Sequence, residues 1–223
     1  MEQIIEYILC IPAALLSLSI HECAHGYMAC RLGDPTARNL GRLSLNPLRH
    51  LDPIGVLCMI LLHFGWAKPV PVNARYFKNP RRDMALTAAA GPLSNLLLAI
   101  LSAPLVRLTQ LVGNTILPSQ PDNLVLFYFF TYLASLFYYF HLLNLSLCVF
   151  NLIPLPPLDG SRIFLVFLPE KLYFGIMKYE RIIQIVLLIV LWLGFFTGVI
   201  GNITNFLSSL IFRIFSFIPT SIA

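Results

Sequence analysis

The sequence predicts an all-α integral membrane protein of about four to five transmembrane helices, with a short re-entrant or β-like segment near the cytoplasmic face. Three observations carry this expectation. Of the 223 residues, 58% are hydrophobic and only 11% are charged, and the mean hydropathy is +0.79. A soluble domain of this length needs roughly a quarter of its residues charged to cover its surface. Four apolar stretches reach the ~20 residues that a helix needs to cross ~30 Å of hydrocarbon. Of the 15 Lys and Arg, all but Arg107 and Arg213 fall between Arg31 and Arg82 or between Arg162 and Arg181, the loop bias that orients membrane proteins. This composition excludes an ordinary water-soluble enzyme, a disordered tail and a nucleic-acid module. The net charge of +5 is read as loop orientation, with no nucleic-acid partner.

The first span runs from Ile4 to Cys30. Its start lacks the basic region and small-residue cleavage site of a signal peptide, so it is expected to remain as structure. Ile54 to Trp66 is too short to cross and is expected to be re-entrant or interfacial. It leads into Gly65-Trp66-Ala67-Lys68-Pro69-Val70-Pro71-Val72-Asn73, where alternating Pro and Val favour extended backbone. That part is either a rim strand able to pair with an extended peptide or a plain connection. Ala85 to Leu111 and Leu124 to Phe150 are the second and third spans, and Ile182 to Ile200 is the fourth. Asn202 to Ile218 fits a tilted fifth helix or a surface-lying one, with the surface-lying reading preferred. The amino terminus then lies outside and both basic segments lie in the cytoplasm. Cys10, Cys23, Cys30, Cys58 and Cys148 form an odd set without a CxxC pair, so no disulfide framework is expected. No repeat or linker interrupts the chain. Residues 1–223 are read as one polytopic domain, with a catalytic core at about 4–165 and a C-terminal membrane segment at about 180–223.

The residues that carry chemistry are His21-Glu22-Cys23-Ala24-His25, an HExxH pattern on the cytoplasmic third of the first span. Residues four apart share a helical face, so His21 and His25 can present imidazoles to one metal ion while Glu22 projects beside them as a base. Zinc so held lowers the pKa of a coordinated water to about 7, the chemistry of a metalloprotease. Ionisable side chains at bilayer depth cost about 2.5–3.5 kcal/mol each on insertion scales, so this trio is functional by default. Catalytic zinc takes three protein ligands. The remaining candidates are His50, His63, His141, Asp34, Asp52, Asp83, Asp122, Asp159, Glu170 and Glu180. Asp159 stands out because Asn151-Leu152-Ile153-Pro154-Leu155-Pro156-Pro157-Leu158-Asp159-Gly160 follows the third span on the cytoplasmic side. Its prolines prevent regular helix, and irregular backbone at membrane depth survives only when buried in protein or lining a wet cavity.

The ordered combination of HExxH, the Gly65–Asn73 segment, Ala90-Gly91-Pro92-Leu93-Ser94-Asn95 opening a helix, and the Asn151–Gly160 element resembles the site-2 proteases. These are intramembrane zinc metalloproteases of peptidase family M50, and the likeness is strongest to their compact branch without a PDZ domain. It covers about Ser17 to Arg162; the last sixty or so residues carry no signature. The resemblance implies one zinc ion on His21, His25 and Asp159, Glu22 as general base and acid, and Asn151 as donor to the oxyanion. The same Asn151 also reads as a cap on the third helix. Asn95 is implied to bind substrate backbone or position a loop, beside the small residues Ala88, Ala89, Ala90 and Gly91 that favour close helix packing. The implied substrate is a transmembrane protein or peptide cut within or next to its spanning segment, in the lipid bilayer of the cell membrane, at a site towards the cytoplasm. A catalytically silent relative that binds membrane helices as a regulator or chaperone is the alternative. His50 and Asp52 read as turn residues, His141 with Asn144 as makers of interhelical hydrogen bonds, and Phe127 to Phe140 as lipid-facing or packing aromatics.

Overall fold

The structure, a computed structural model, describes residues 2–53, 55, 58, 67–117 and 123–220, with backbone alone for 2–9 and 174. Helix α1 (Glu2–Arg31) runs through Pro12. In the turns after it the hydroxyls of Ser17 and Ser19 donate to the carbonyls of Ala13 and Leu15, at 2.7 and 2.6 Å. Polar groups buried in an apolar helix are thereby satisfied within it. Gly33, at φ +110°, turns the chain out of α1. Asp34, fully buried, then accepts from the N–H and hydroxyl of Thr36 at the start of the short α2 (Thr36–Asn39), and from Asn73 N–H at 2.7 Å. The rim segment around Lys68–Asn73 is thus tied to the end of α1.

Helix α3 (Pro80–Ile116) begins on a proline, whose missing N–H has no partner to lose in the first turn. One face is built from the buried residues Ala88, Gly91, Asn95, Ala99, Ser102 and Ala103. Small side chains let helix backbones approach closely, and both α1 and α4 (Leu124–Asn151) pack on α3. Beyond α4 an irregular stretch leads to α5 (Asp159–Phe164), followed by α6 (Glu170–Lys178), α7 (Glu180–Trp192) and α8 (Thr197–Ile214). Ala99, Ala103, Leu145 and Ile211 form a buried apolar cluster that joins α3, α4 and α8. His141 makes the interhelical bonds expected of it: Nδ1–H donates to Ala99 O at 2.8 Å, and Nε2 lies 3.0 Å from the Ser208 hydroxyl. Asn144 Nδ2 donates to Ser17 Oγ at 2.9 Å.

The described residues are helical throughout their long elements, in keeping with an all-α protein. Helices α3 and α4 are each long and apolar enough to cross a membrane, and α7 with α8 meets the same test only as a pair, bent by 81°. The expected unbroken fourth span from Ile182 to Ile200 is therefore corrected. Gly194 takes φ +76°, its N–H bonds to Leu191 O at 2.9 Å, and Phe195 N–H bonds to Val190 O at 3.3 Å. This pair of bonds is a Schellman end, which stops α7. The tail also differs from a free surface-lying helix, because α8 buries Thr204, Ser208 and Ile211 against the bundle. Arg107 of α3 donates to the carbonyls of Phe212 and Ile218 at 3.0 and 2.9 Å, neutralising the end of α8.

The segment expected to be re-entrant, Ile54 to Trp66, lies outside the described residues except at Gly55 and Cys58. Next to it the described chain forms no strand. Lys68–Asn73 has no regular secondary structure, with β-type backbone at Asn73; just before it lies an isolated bridge between Leu51 and Ala67, and Lys68 N–H bonds to His50 O at 2.8 Å. Arg42 reinforces this contact by donating to the carbonyls of Lys68 and Pro69.

Candidate active site

His21 and His25 lie one turn apart on α1, and the loop after α4 brings Asp159 across to them. Asp159 Oδ2 is 3.1 Å from His21 Nε2 and 3.3 Å from His25 Nε2, and the two Nε2 atoms are 3.0 Å apart. The three ligand atoms lie within 4.8 Å of one another. Asp159 opens α5, and a side chain on the next residue, Gly160, would collide with the carbonyls of Leu152 and Ile153. Glycine lets the irregular loop fold tightly enough to aim the carboxylate at α1.

Each imidazole is held from behind by α3. His21 Nδ1–H donates to Asn95 Oδ1 at 2.9 Å, and His25 Nδ1–H donates to the Thr87 carbonyl at 2.8 Å. A backbone carbonyl can only accept, so the proton of a neutral His25 sits on Nδ1 and its Nε2 carries a lone pair; Asn95 Oδ1 fixes His21 in the same way. Two lone pairs and a carboxylate oxygen then converge, and Asp159 Oδ2 receives no hydrogen bond. That donor set fits a divalent cation and lacks its compensation without one. Gly91 makes the approach possible, since a Cβ there would sit 2.6 Å from His21 Cε1 and closer still to His25 Nε2.

Glu22 flanks the cluster and accepts a hydrogen bond from Val70 N–H at 2.7 Å, which docks the Lys68–Asn73 segment on the site. Asn151, the last residue of α4, donates from Nδ2 to Leu147 O at 3.0 Å and so does serve its own helix end. His21, Glu22 and Asn151 all line a cavity of about 210 Å³, which Gln184, Leu187, Leu188 and Leu191 of α7 also line. Asn95 is fully buried behind His21, away from this cavity wall.

His21, Glu22, His25, Asp159 and Asn151 are thus brought together, and Asn95 joins them as a support for His21. Neither His50 nor His141 joins the cluster: His50 Nε2 lies 2.6 Å from Ser44 O, and His141 is held between α3 and α8. His63 lies outside the described residues. Thr87 was not foreseen because it acts through its backbone carbonyl, which no side-chain pattern betrays. The α7 wall did leave a signal: Gln184 interrupts an apolar run, and Leu187, Leu188 and Leu191 follow it at helical spacing.

A helical bundle with helices long and apolar enough to cross a membrane, holding two histidines of an HExxH turn and an aspartate around one point, is the class of fold and site that a membrane metallopeptidase family would show. The chain belongs to peptidase family M50, whose model matches residues 10–197. It is 46% identical over 149 residues to "Putative zinc metalloprotease YwhC" of Bacillus subtilis, covering 67% of this chain and 64% of that protein. It is 33% identical over 162 residues to "Putative zinc metalloprotease Rip2" of Mycolicibacterium smegmatis, covering 69% of this chain and 55% of that protein. A Rip2 of Mycobacterium tuberculosis matches at 32% identity over 160 residues, with 69% and 55% covered. The chain thus spans less than two thirds of the curated relatives it matches. No solved structure matches it.

Proposed function

We propose that the chain is an intramembrane zinc metalloprotease that hydrolyses a peptide bond within or next to a transmembrane segment of another membrane protein. The observation that supports this most is the meeting of His21, His25 and Asp159, with Glu22 beside them on the cavity wall. In this reading the protein sits in the cell membrane with α1, α3 and α4 as spans and the bent α7–α8 pair as a further one, and the bias of basic residues in the loops supports a site towards the cytoplasm.

His21, His25 and Asp159 would hold the zinc ion. When bound, zinc supplies Lewis-acid polarisation of the scissile carbonyl and makes a water acidic enough to attack near neutral pH. Glu22 takes the proton of the attacking water and returns it to the departing amine. Asn151, on the same wall, offers an amide N–H to the oxygen that gains charge. A helical substrate hides its carbonyls in its own hydrogen bonds, so it must unwind locally before one can enter. The Lys68–Asn73 segment, docked on Glu22, lies where an unwound peptide would pass and offers backbone groups to pair with.

Metal analysis and cleavage of a labelled Leu/Ala transmembrane peptide, with and without a zinc chelator, test this reading. Glu22→Gln retains zinc and loses cleavage, whereas Ala at His21, His25 or Asp159 loses the metal. Cleavage by the Glu22→Gln protein would refute the role given to that carboxylate.

A further inference from the structure

Helix α7 is apolar from Ile182 to Trp192 apart from one residue, Gln184. Its two faces are distinct. Ile182, Ile185, Val186, Ile189 and Trp192 are exposed on the outside of the bundle. Gln184, Leu187, Leu188 and Leu191, spaced as i, i+3, i+4 and i+7, line the same cavity as His21, Glu22 and Asn151. An amide carries a cost inside a membrane helix and is found where it meets a partner or a wet cavity. Among the described residues the Gln184 side chain makes no hydrogen bond, and it stands exposed at the cavity wall. The start of α7 is fixed near the metal cluster, because Glu180 lies 3.5 Å from Arg162 of α5, the helix that Asp159 opens.

A primary amide offers N–H and C=O together, which matches the N–H and C=O of one peptide unit. An unwound stretch of substrate exposes such units in a site with little water to satisfy them. The three leucines on the same face make the rest of that wall apolar. We propose that Gln184 is a substrate-binding residue, which pairs with a backbone peptide group of the unwound substrate beside the scissile bond, while Leu187, Leu188 and Leu191 receive its apolar side chain. This rests on the protease reading and adds to it the wall of the site that selects the substrate: an unwound, apolar stretch held by α7 in the cavity that Glu22 also lines.

The test uses the zinc-loaded full chain in detergent and a quenched-fluorescence Leu/Ala peptide of about 20 spanning residues. Gln184→Met keeps the length and helical preference of the side chain and makes α7 more apolar, so a purely structural role predicts unchanged or improved folding and unchanged kinetics. The expected result is a KM raised about tenfold with kcat little changed, at full zinc content and undiminished Tm, as befits a contact made before and during reaction. A second series replaces single peptide bonds of the substrate by esters, each removing one N–H. One position should weaken binding to the wild type and add nothing further to the Gln184→Met loss, because both changes delete the same contact. A Gln184→Met KM within about twofold of wild type, or losses that simply add at every ester position, overturns the role of Gln184 while leaving protease activity intact. If the wild type cleaves no such peptide, the protease reading fails and this inference falls with it.

Discussion

Asn95 Oδ1 lies 2.9 Å from His21 Nδ1, and this bond, made across 74 residues of sequence, turns the Nε2 of that ring towards Asp159. On the other ring the Thr87 carbonyl does the same for His25. Helix α3 contributes no side chain to the His21–His25–Asp159 cluster; it sets the tautomer and the angle of both histidines that α1 contributes. Such supporting partners fix the basicity and orientation of metal-binding histidines.

Asn95→Leu therefore removes an acceptor and leaves the ring of His21 free to turn. Zinc affinity, measured by competition with a chelator of known strength, is expected to fall about 10–100-fold. Asn95→Asp keeps an oxygen in place and should recover most of that loss. A leucine variant that loads zinc as well as the wild type, yet cleaves poorly, would return Asn95 to the substrate side of the site.

Gly91 is the point where α3 touches both imidazoles. Gly→Ala in a helix interior normally adds about 0.5–1 kcal/mol of stability. Here the added methyl would meet His21 Cε1 at 2.6 Å and His25 Nε2 closer still. Gly91→Ala is expected to lose zinc and activity together, with α3 intact by circular dichroism. Serine or alanine at Gly175, where nothing lies within 4 Å, serves as the control that leaves both unchanged.

The parts of the site that were legible in the sequence are those set by local geometry or by membrane depth. His21, Glu22 and His25 needed only the four-residue period of a helix. Asp159 followed from prolines beyond a span and from the basic loops that put both segments on one side. The supports behind the histidines were not legible, because Thr87 acts through its backbone and Asn95 acts through a contact that exists only once α3 packs on α1. The bend after α7 was written in Gly194, but an apolar run read by average hydropathy hides a single glycine. Arg107 likewise looked stray in sequence; its role as a donor to the carbonyls of Phe212 and Ile218, at the end of α8 that folds back beside it, appears only in the packed bundle.

Metal removal should expose the convergence of unpaired electron pairs at Asp159. With zinc bound at 100 times its dissociation constant, linkage adds about 2.7 kcal/mol to the folded state. Chelation should lower the Tm accordingly. Asp159→Asn alters this in a telling way: its amide can donate to an imidazole Nε2, so the metal-free variant should melt above the metal-free wild type, although it binds zinc worse. Equal melting of the two metal-free proteins would mean that protons already neutralise the cluster.

Asp34 connects the end of α1 to the segment that docks on Glu22. Its carboxylate, fully buried, accepts from Asn73 N–H at 2.7 Å and from Thr36 N–H at 2.9 Å, while Val70, three residues before Asn73, reaches Glu22. Asp34→Ala leaves buried donors unanswered, at a cost of about 1–3 kcal/mol for a backbone group. The Tm should fall, and, if Glu22 is the base proposed above, cleavage should fall further than stability alone accounts for, because the Lys68–Asn73 segment loses its anchor next to it. Zinc content, set by α1, α3 and the loop before α5, should stay at wild-type level. Asp34→Asn, which keeps one acceptor oxygen, should lie between the two. A variant that loses stability and zinc in step, with normal cleavage per bound zinc, would show that Asp34 serves the fold and not the placement of Lys68–Asn73 over Glu22.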